Sequence, residues 1–223
     1  MSGLAAATLC LALGSAQAQG IGTVRVVDVW AYGTPPGAQR QDRFVRDAVV
    51  QQELLETVEN GSMAVRFADG TELRLGSASQ ATLDNFVYSS DQTGGQMAAS
   101  LTRGAFRFIS GRIDKGGVQL RTPTALIGIR GTDFLVTVAA SGATVISVIS
   151  GIVTVQPAGG GAAVAVNAGQ TVGVAAANAA PAPTAPVTTT ATPGMGDGPA
   201  GNTNSDTTAN DGTDAQQSSS SSD

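Results

Sequence analysis

Between residues 62 and 75 apolar and polar positions alternate. Met63, Val65 and Phe67 interleave with Ala64 and Arg66; Asp69-Gly70 follows, and Leu73 and Leu75 then interleave with Glu72 and Arg74. A period of two is that of a strand with one buried face, and Asp-Gly between two such segments is a strong hairpin signal. The same reading predicts a first strand over Ile21–Trp30, with Val24 and Val26 inward and Arg25 outward, then a loop at Gly33–Gly37. It predicts further strands over Leu83–Tyr88, over Leu101–Ile109 with Arg107 between Phe106 and Phe108, and from Val118 to Leu120. A dense series closes the region: Ala125–Arg130, Phe134–Val138, Thr144–Ile149, Ile152–Val155 and Ala162–Val166, separated at Gly131, Gly142, Gly151 and Gly159 to Gly161. Residues 44–58 fit two patterns, a helical stripe of Val49, Val50, Leu54, Leu55 and Val58 or a short strand at Val49–Gln51. Many short strands and 29 glycines predict an all-β fold, as a β-roll or short β-solenoid or as a sandwich.

The two ends follow neither pattern. Residues 1–18 carry an apolar run from Leu4 to Leu13 and the small-x-small sequence Ala16-Gln17-Ala18, which reads as a secretory signal. The run is far shorter than the roughly 20 residues that a bilayer-crossing helix needs, so no transmembrane anchor is expected. Leu9 ahead of Cys10 argues against lipidation. Residues 19–174 are the expected domain, and 175–223 an Ala/Pro/Thr- and then Gly/Asn/Asp/Ser-rich tail, expected to be disordered because it has too little apolar surface to offset ordering entropy.

Charge sharpens this division. The chain holds 12 basic and 17 acidic residues, net −5, and Arg130 is the last base. Asp197, Asp206, Asp211, Asp214 and Asp223 supply the whole excess, so the remainder is neutral and offers no basic surface for nucleic acid.

The chain has no histidine, and its one cysteine lies in the leader. That removes Ser-His-Asp and thiol catalysis and most zinc or copper sites, and no cofactor is expected. Carboxylate-only hydrolysis survives, with Asp84 and Asp133 as a conceivable pair. Glu53, Glu56 and Glu59 read as a solvated helical face rather than a divalent-ion site. Asp69-Gly70-Thr71-Glu72 lacks the oxygen ligands of a calcium loop, and neither Gly94-Gly95 nor the 159–161 run has the Lys-Ser/Thr of a phosphate loop.

The most distinctive segment is Arg121-Thr122-Pro123-Thr124 running through Gly128 to Arg130-Gly131-Thr132-Asp133-Phe134. Pro123 sets the entry to a strand, and Gly128 and Gly131 suit close approach or positive φ. Arg130 and Asp133 are placed to pair or to bind nearby backbone, Thr132 to cap the turn, and Asp133 to lock a turn leading into Phe134. Arg121 and Arg130 are the groups available to a partner carboxylate.

This segment resembles the FecR domain family. The resemblance rests on Val118 to Ala125 running into Gly128-Ile129-Arg130-Gly131-Thr132-Asp133-Phe134. Phe67 to Leu75, Leu101 to Phe108 and Val166 to Thr171 also fit, in order, over roughly residues 60 to 172. It implies an extracytoplasmic all-β domain. Its founding members relay the state of an outer-membrane iron-siderophore receptor to a sigma factor. The expectation here is a stand-alone secreted member, periplasmic or extracellular, without the anti-sigma segment or transmembrane helix. It would act as a non-enzymatic interaction module in envelope signalling or architecture, by strand addition or surface docking with an envelope or cell-surface protein. The alternative is a glycan-binding or carboxylate-only carbohydrate-active domain, using Trp30, Tyr32 or Tyr88.

Overall fold

The computed structural model describes residues 20–89, 94–113 and 116–185. The expected leader, most of the tail and part of the Ser89–Gly95 loop lie outside them. The described residues are all strand, turn and loop, without helix.

Five strands precede the first hairpin: β1 (Gly20–Asp28), β2 (Ala31–Thr34), β3 (Gln41–Asp42), β4 (Ala48–Val50) and β5 (Leu54–Thr57). Then come β6 (Ser62–Phe67), β7 (Glu72–Leu75), β8 (Gln80–Tyr88), β9 (Gly95–Ile109) and β10 (Val118–Arg121). The chain continues through β11 (Ala125–Val138), β12 (Thr144–Pro157), β13 (Val164–Asn167), β14 (Thr171–Val174) and β15 (Ala182–Pro183).

All fifteen join in one hydrogen-bonded sheet, and three long strands fold it back on itself. The first half of β9 pairs with β8 and β10, and its second half with β7 and β11. β11 and β12 pair along their whole lengths; their halves on one side of Gly131 and Gly151 join β10 and β13, and those on the other join β9 and β14. The result is two layers. The first runs β3-β2-β5-β8-β9-β10-β11-β12-β13, and the second β4-β1-β6-β7-β9-β11-β12-β14-β15. The creases fall at Gly104, Gly131 and Gly151, whose φ values of 105, 64 and 81° favour glycine.

The inward residues are those the alternation marks. Met97, Ala99 and Leu101 of the first layer and Phe106, Phe108, Phe134 and Val136 of the second belong to one apolar core. Phe67 and Phe86, from opposite layers, stack at 5.4 Å between ring centroids. Each such side chain contributes about 1.5–3 kcal/mol by leaving water.

Three expectations need correction. The segments read as four short strands, Ala125–Arg130 with Phe134–Val138 and Thr144–Ile149 with Ile152–Val155, are two continuous strands creased at glycine. A glycine at positive φ bends a strand without ending its ladder. The first strand ends at Asp28, and its register against β6 shifts between Val24 and Val26. Val24 is therefore buried while Val26 is 40% exposed, and Trp30, beyond the strand, is 51% exposed. Of the two patterns open for residues 44–58 the strand is the one formed, as β4 and β5 joined by turns. Ordered pairing also continues past residue 174: Ala182 and Pro183 lie in register with Gly173 and Val172, the Thr184 N–H donates to the Thr171 carbonyl at 3.2 Å, and the Gly159 N–H donates to the Ala177 carbonyl at 2.8 Å.

Candidate functional site

The segment from Arg121 to Phe134 occupies both rims of the first layer, and its residues divide between building the fold and facing outward. At the crease, Gly131 and Gly151 lie side by side. A Cβ on Gly151 would strike the Gly131 carbonyl oxygen and approach Thr132 Cγ2 to 2.6 Å. The Thr132 N–H donates to Ser110 Oγ at 2.7 Å, and the Ser110 N–H returns to the Thr132 carbonyl at 3.0 Å. This exchange ties the end of β9 to the bend of β11.

Thr132 does not cap the turn through its side chain. Its hydroxyl is buried and has no hydrogen-bond partner among the described residues. Arg130 and Asp133 do not pair either. The Asp133 carboxylate accepts Arg107 Nε at 3.0 Å and the terminal nitrogen at 2.8 Å, a fork that joins β9 to β11. Arg130 is exposed and lies within 4 Å of no carboxylate among the described residues. Arg74 stands directly opposite Arg107, and each arginine has its own carboxylate, Glu72 for Arg74 and Asp133 for Arg107. Phe134 is fully buried against Phe108, with centroids 5.5 Å apart.

The opposite rim is held by threonines. The Thr124 hydroxyl lies 2.8 Å from Thr144 Oγ1 and 3.0 Å from the Gly142 carbonyl; the Thr144 hydroxyl donates to Thr122 Oγ1 at 2.8 Å. Thr122 Oγ1 accepts the Ala125 N–H at 2.9 Å. All three threonines are buried, so this relay closes the β10–β11 turn onto the β11–β12 turn. Pro123 shapes that turn from outside: a Cβ on Gly142 would meet its Cβ at 3.0 Å.

Gly128 differs from the other glycines of the segment. Its φ is not positive, and a Cβ there would meet only Thr154, at 3.9 Å. The expectation of a positive φ is thus not met at Gly128, and no close approach to it is made by the described residues. It lies on the outer face, paired with Gln119. Arg121 is exposed on the same face and lines an open groove of about 220 Å³ with Asp84, Ala98, Ala99, Ser100 and Gln119. The Ser100 hydroxyl donates to Asp84 Oδ2 at 2.7 Å.

Asp84 and Asp133 are thus not brought together. Asp84 belongs to the outer groove of the first layer, and Asp133 is held by Arg107 in the second. Of the aromatic residues, Tyr32 lies under Arg40, whose guanidinium carbon is 3.5 Å from the ring centroid. Tyr88 lines a separate cavity with Gly20, Ile21, Gln51, Ala68, Phe86 and Val87, and no carboxylate is in that lining.

Sequence reasoning missed a buried ion pair. Glu53, read as part of a solvated helical face, is fully buried. Its Oε1 takes Arg43 Nε at 2.7 Å and a terminal nitrogen at 2.6 Å, and its Oε2 accepts the Val50 N–H at 2.9 Å. A Cβ on Gly33 would occupy the place of Glu53 Oε1 and Arg43 Nε. The turn lock at Asp69 was also passed over: its carboxylate accepts the Thr71 N–H at 3.0 Å and the Thr71 hydroxyl at 2.5 Å, and Thr71 Oγ1 accepts the Gly111 N–H at 3.0 Å.

Among known proteins, residues 53–154 match the family described as FecR protein. No curated protein matches the chain. Two crystal structures of a provisionally named anti-sigma factor from Parabacteroides distasonis ATCC 8503 are similar, at 17% identity and TM-scores of 0.48 and 0.47. The alignments cover 59% of this chain and 58% of theirs, so this chain spans less than two thirds of their length.

Proposed function

From the match of residues 53–154 to the FecR family we propose that the chain is a FecR-domain protein, a non-enzymatic protein-interaction module of the cell envelope exported to the periplasm or the cell surface. FecR domains are regulatory, and envelope signalling is the role this reading favours.

The observation that supports it best is how the distinctive segment distributes its polar groups. Asp133, Thr122 and Thr124 are committed to internal bonds, whereas Arg121 and Arg130 face outward from the first layer. A segment built this way holds a shape and presents cations, which suits recognition of a partner carboxylate. The apolar run Leu4–Leu13 ahead of Ala16-Gln17-Ala18 and the absence of cysteine beyond Cys10 support the export part of this reading.

Affinity capture from envelope extracts tests the reading with three proteins: the full chain, a chain ending at residue 185, and an Arg121→Glu/Arg130→Glu double variant. One protein partner retained by the first two and lost by the third is the expected result. Capture that depends on residues 186–223, or retention of glycan in place of protein, would contradict it.

A further inference from the structure

We propose that the outer face of the first layer docks an extended acidic peptide segment of the partner, with Arg121 taking a carboxylate from it; this rests on the interaction-module reading and assigns it a site.

Two independent observations meet on this face. The first is the groove. Ala98 and Ser100 of β9 form a low floor between Asp84 of β8 and Gln119 and Arg121 of β10. Strands lie about 4.8 Å apart, so these walls stand roughly 10 Å from each other, room for one extended chain. Asp84 is fixed by Ser100, and Arg121 lies within 4 Å of no carboxylate among the described residues. An unpaired guanidinium beside hydrogen-bonding Gln119 and Ser100 fits a carboxylate on a polar backbone.

The second observation is Gly128, which extends the bare surface past Gln119 to β11. Glycine inside a strand weakens it, and the usual reasons for keeping one are a bulge or the close approach of another backbone. Gly128 lies in unbroken register between Gln119 and Thr154, and a Cβ there would meet nothing closer than an ordinary contact with Thr154 at 3.9 Å. The approach it permits therefore comes from outside the molecule. Ala98, Ser100, Gln119, Arg121, Gly128 and Thr154 carry no aromatic ring, so the face lacks the platform on which sugar rings stack, and a peptide is favoured over a glycan.

The test is a ¹⁵N NMR titration of the full chain with acetyl-Thr-Val-Asp-Val-Thr-amide and its Asp→Asn counterpart. The amide signals of Ser100, Gln119 and Gly128 should move saturably with the acidic peptide and at least tenfold more weakly with the neutral one. Gly128→Leu should abolish the effect by filling the surface, and Ala98→Leu should do the same from β9. Arg121→Glu should abolish it while leaving the remaining spectrum unchanged. Equal response to both peptides, shifts mapping elsewhere, or binding unaffected by Gly128→Leu and Ala98→Leu would overturn the site. Partner capture that survives Gly128→Leu with Arg121→Glu would overturn the groove and leave the interaction reading intact. Oligogalacturonate moving these signals when the peptide does not would overturn both.

Discussion

Asp133 binds Arg107 through both carboxylate oxygens, at 3.0 and 2.8 Å, and so fastens the bend of β11 to the far half of β9. The arginine three residues before it in the sequence, Arg130, takes no part.

That relationship separates two arginines by experiment. Asp133→Ala removes the carboxylate that holds the mostly buried Arg107 guanidinium by two hydrogen bonds beside Arg74, and is expected to cost about 3 kcal/mol. For a domain of this size that lowers Tm by roughly 10 °C. Arg130→Ala should stay within about 0.5 kcal/mol of the parent, as exposed substitutions do. Thermal unfolding followed by circular dichroism decides it; equal losses would return Arg130 to the ion pair.

The crease glycines and Gly128 should respond in opposite directions. Gly151→Ala combines a left-handed backbone with a Cβ driven against the Gly131 carbonyl, and a loss of at least about 3 kcal/mol is expected. Gly128→Ala adds a methyl group that meets only Thr154, at an ordinary 3.9 Å, on a backbone without positive φ, and should be neutral or stabilising by up to about 1 kcal/mol. Chemical denaturation of the two variants gives the comparison, and destabilisation by Gly128→Ala would show an internal need for that glycine.

The buried pair between Arg43 and Glu53 makes a third contrast. Glu53→Gln strands the Arg43 charge in the interior and should cost about 3–5 kcal/mol, whereas Arg43→Met with Glu53→Leu removes both charges and should recover most of that loss. Gly33→Ala should act like the single substitution, because its methyl group displaces the contacting atoms. A double variant no more stable than Glu53→Gln would contradict this account.

Thr132 offers a test in the stabilising direction. Its hydroxyl is buried and unpartnered, so Thr132→Val replaces a desolvated polar group by an apolar one of nearly the same shape. A gain of about 1 kcal/mol is expected from equilibrium unfolding. A loss of that size would reveal a partner for the hydroxyl.

Alternation and turn chemistry were enough to read the all-β class, the Asp69-Gly70 hairpin and the inward set around Phe106, Phe108 and Phe134, because each is a local property of the chain. What escaped was non-local. Gly131 and Gly151 read as strand breaks, since a glycine that ends a strand and one that creases it look alike until the partner strand bends beside it. Asp133 found its cation on a strand 26 positions away rather than in its own turn. Glu53 was read by its spacing to Glu56 and Glu59, yet burial follows from Arg43 and the bare Gly33, which no periodicity connects to it. For the candidate site, the sequence picked out Arg121 and Arg130 as outward cations, but the groove between Arg121 and Asp84 depends on the β8-β9-β10 order, in which β9 and β10 run parallel.

The most direct measurement sets stability beside partner capture for Asp133→Ala and Arg121→Glu, both assayed well below their melting temperatures. The account predicts that Asp133→Ala melts early and still captures the partner, while Arg121→Glu melts with the parent and captures none. An Asp133→Ala protein that melts with the parent but fails to capture would contradict it.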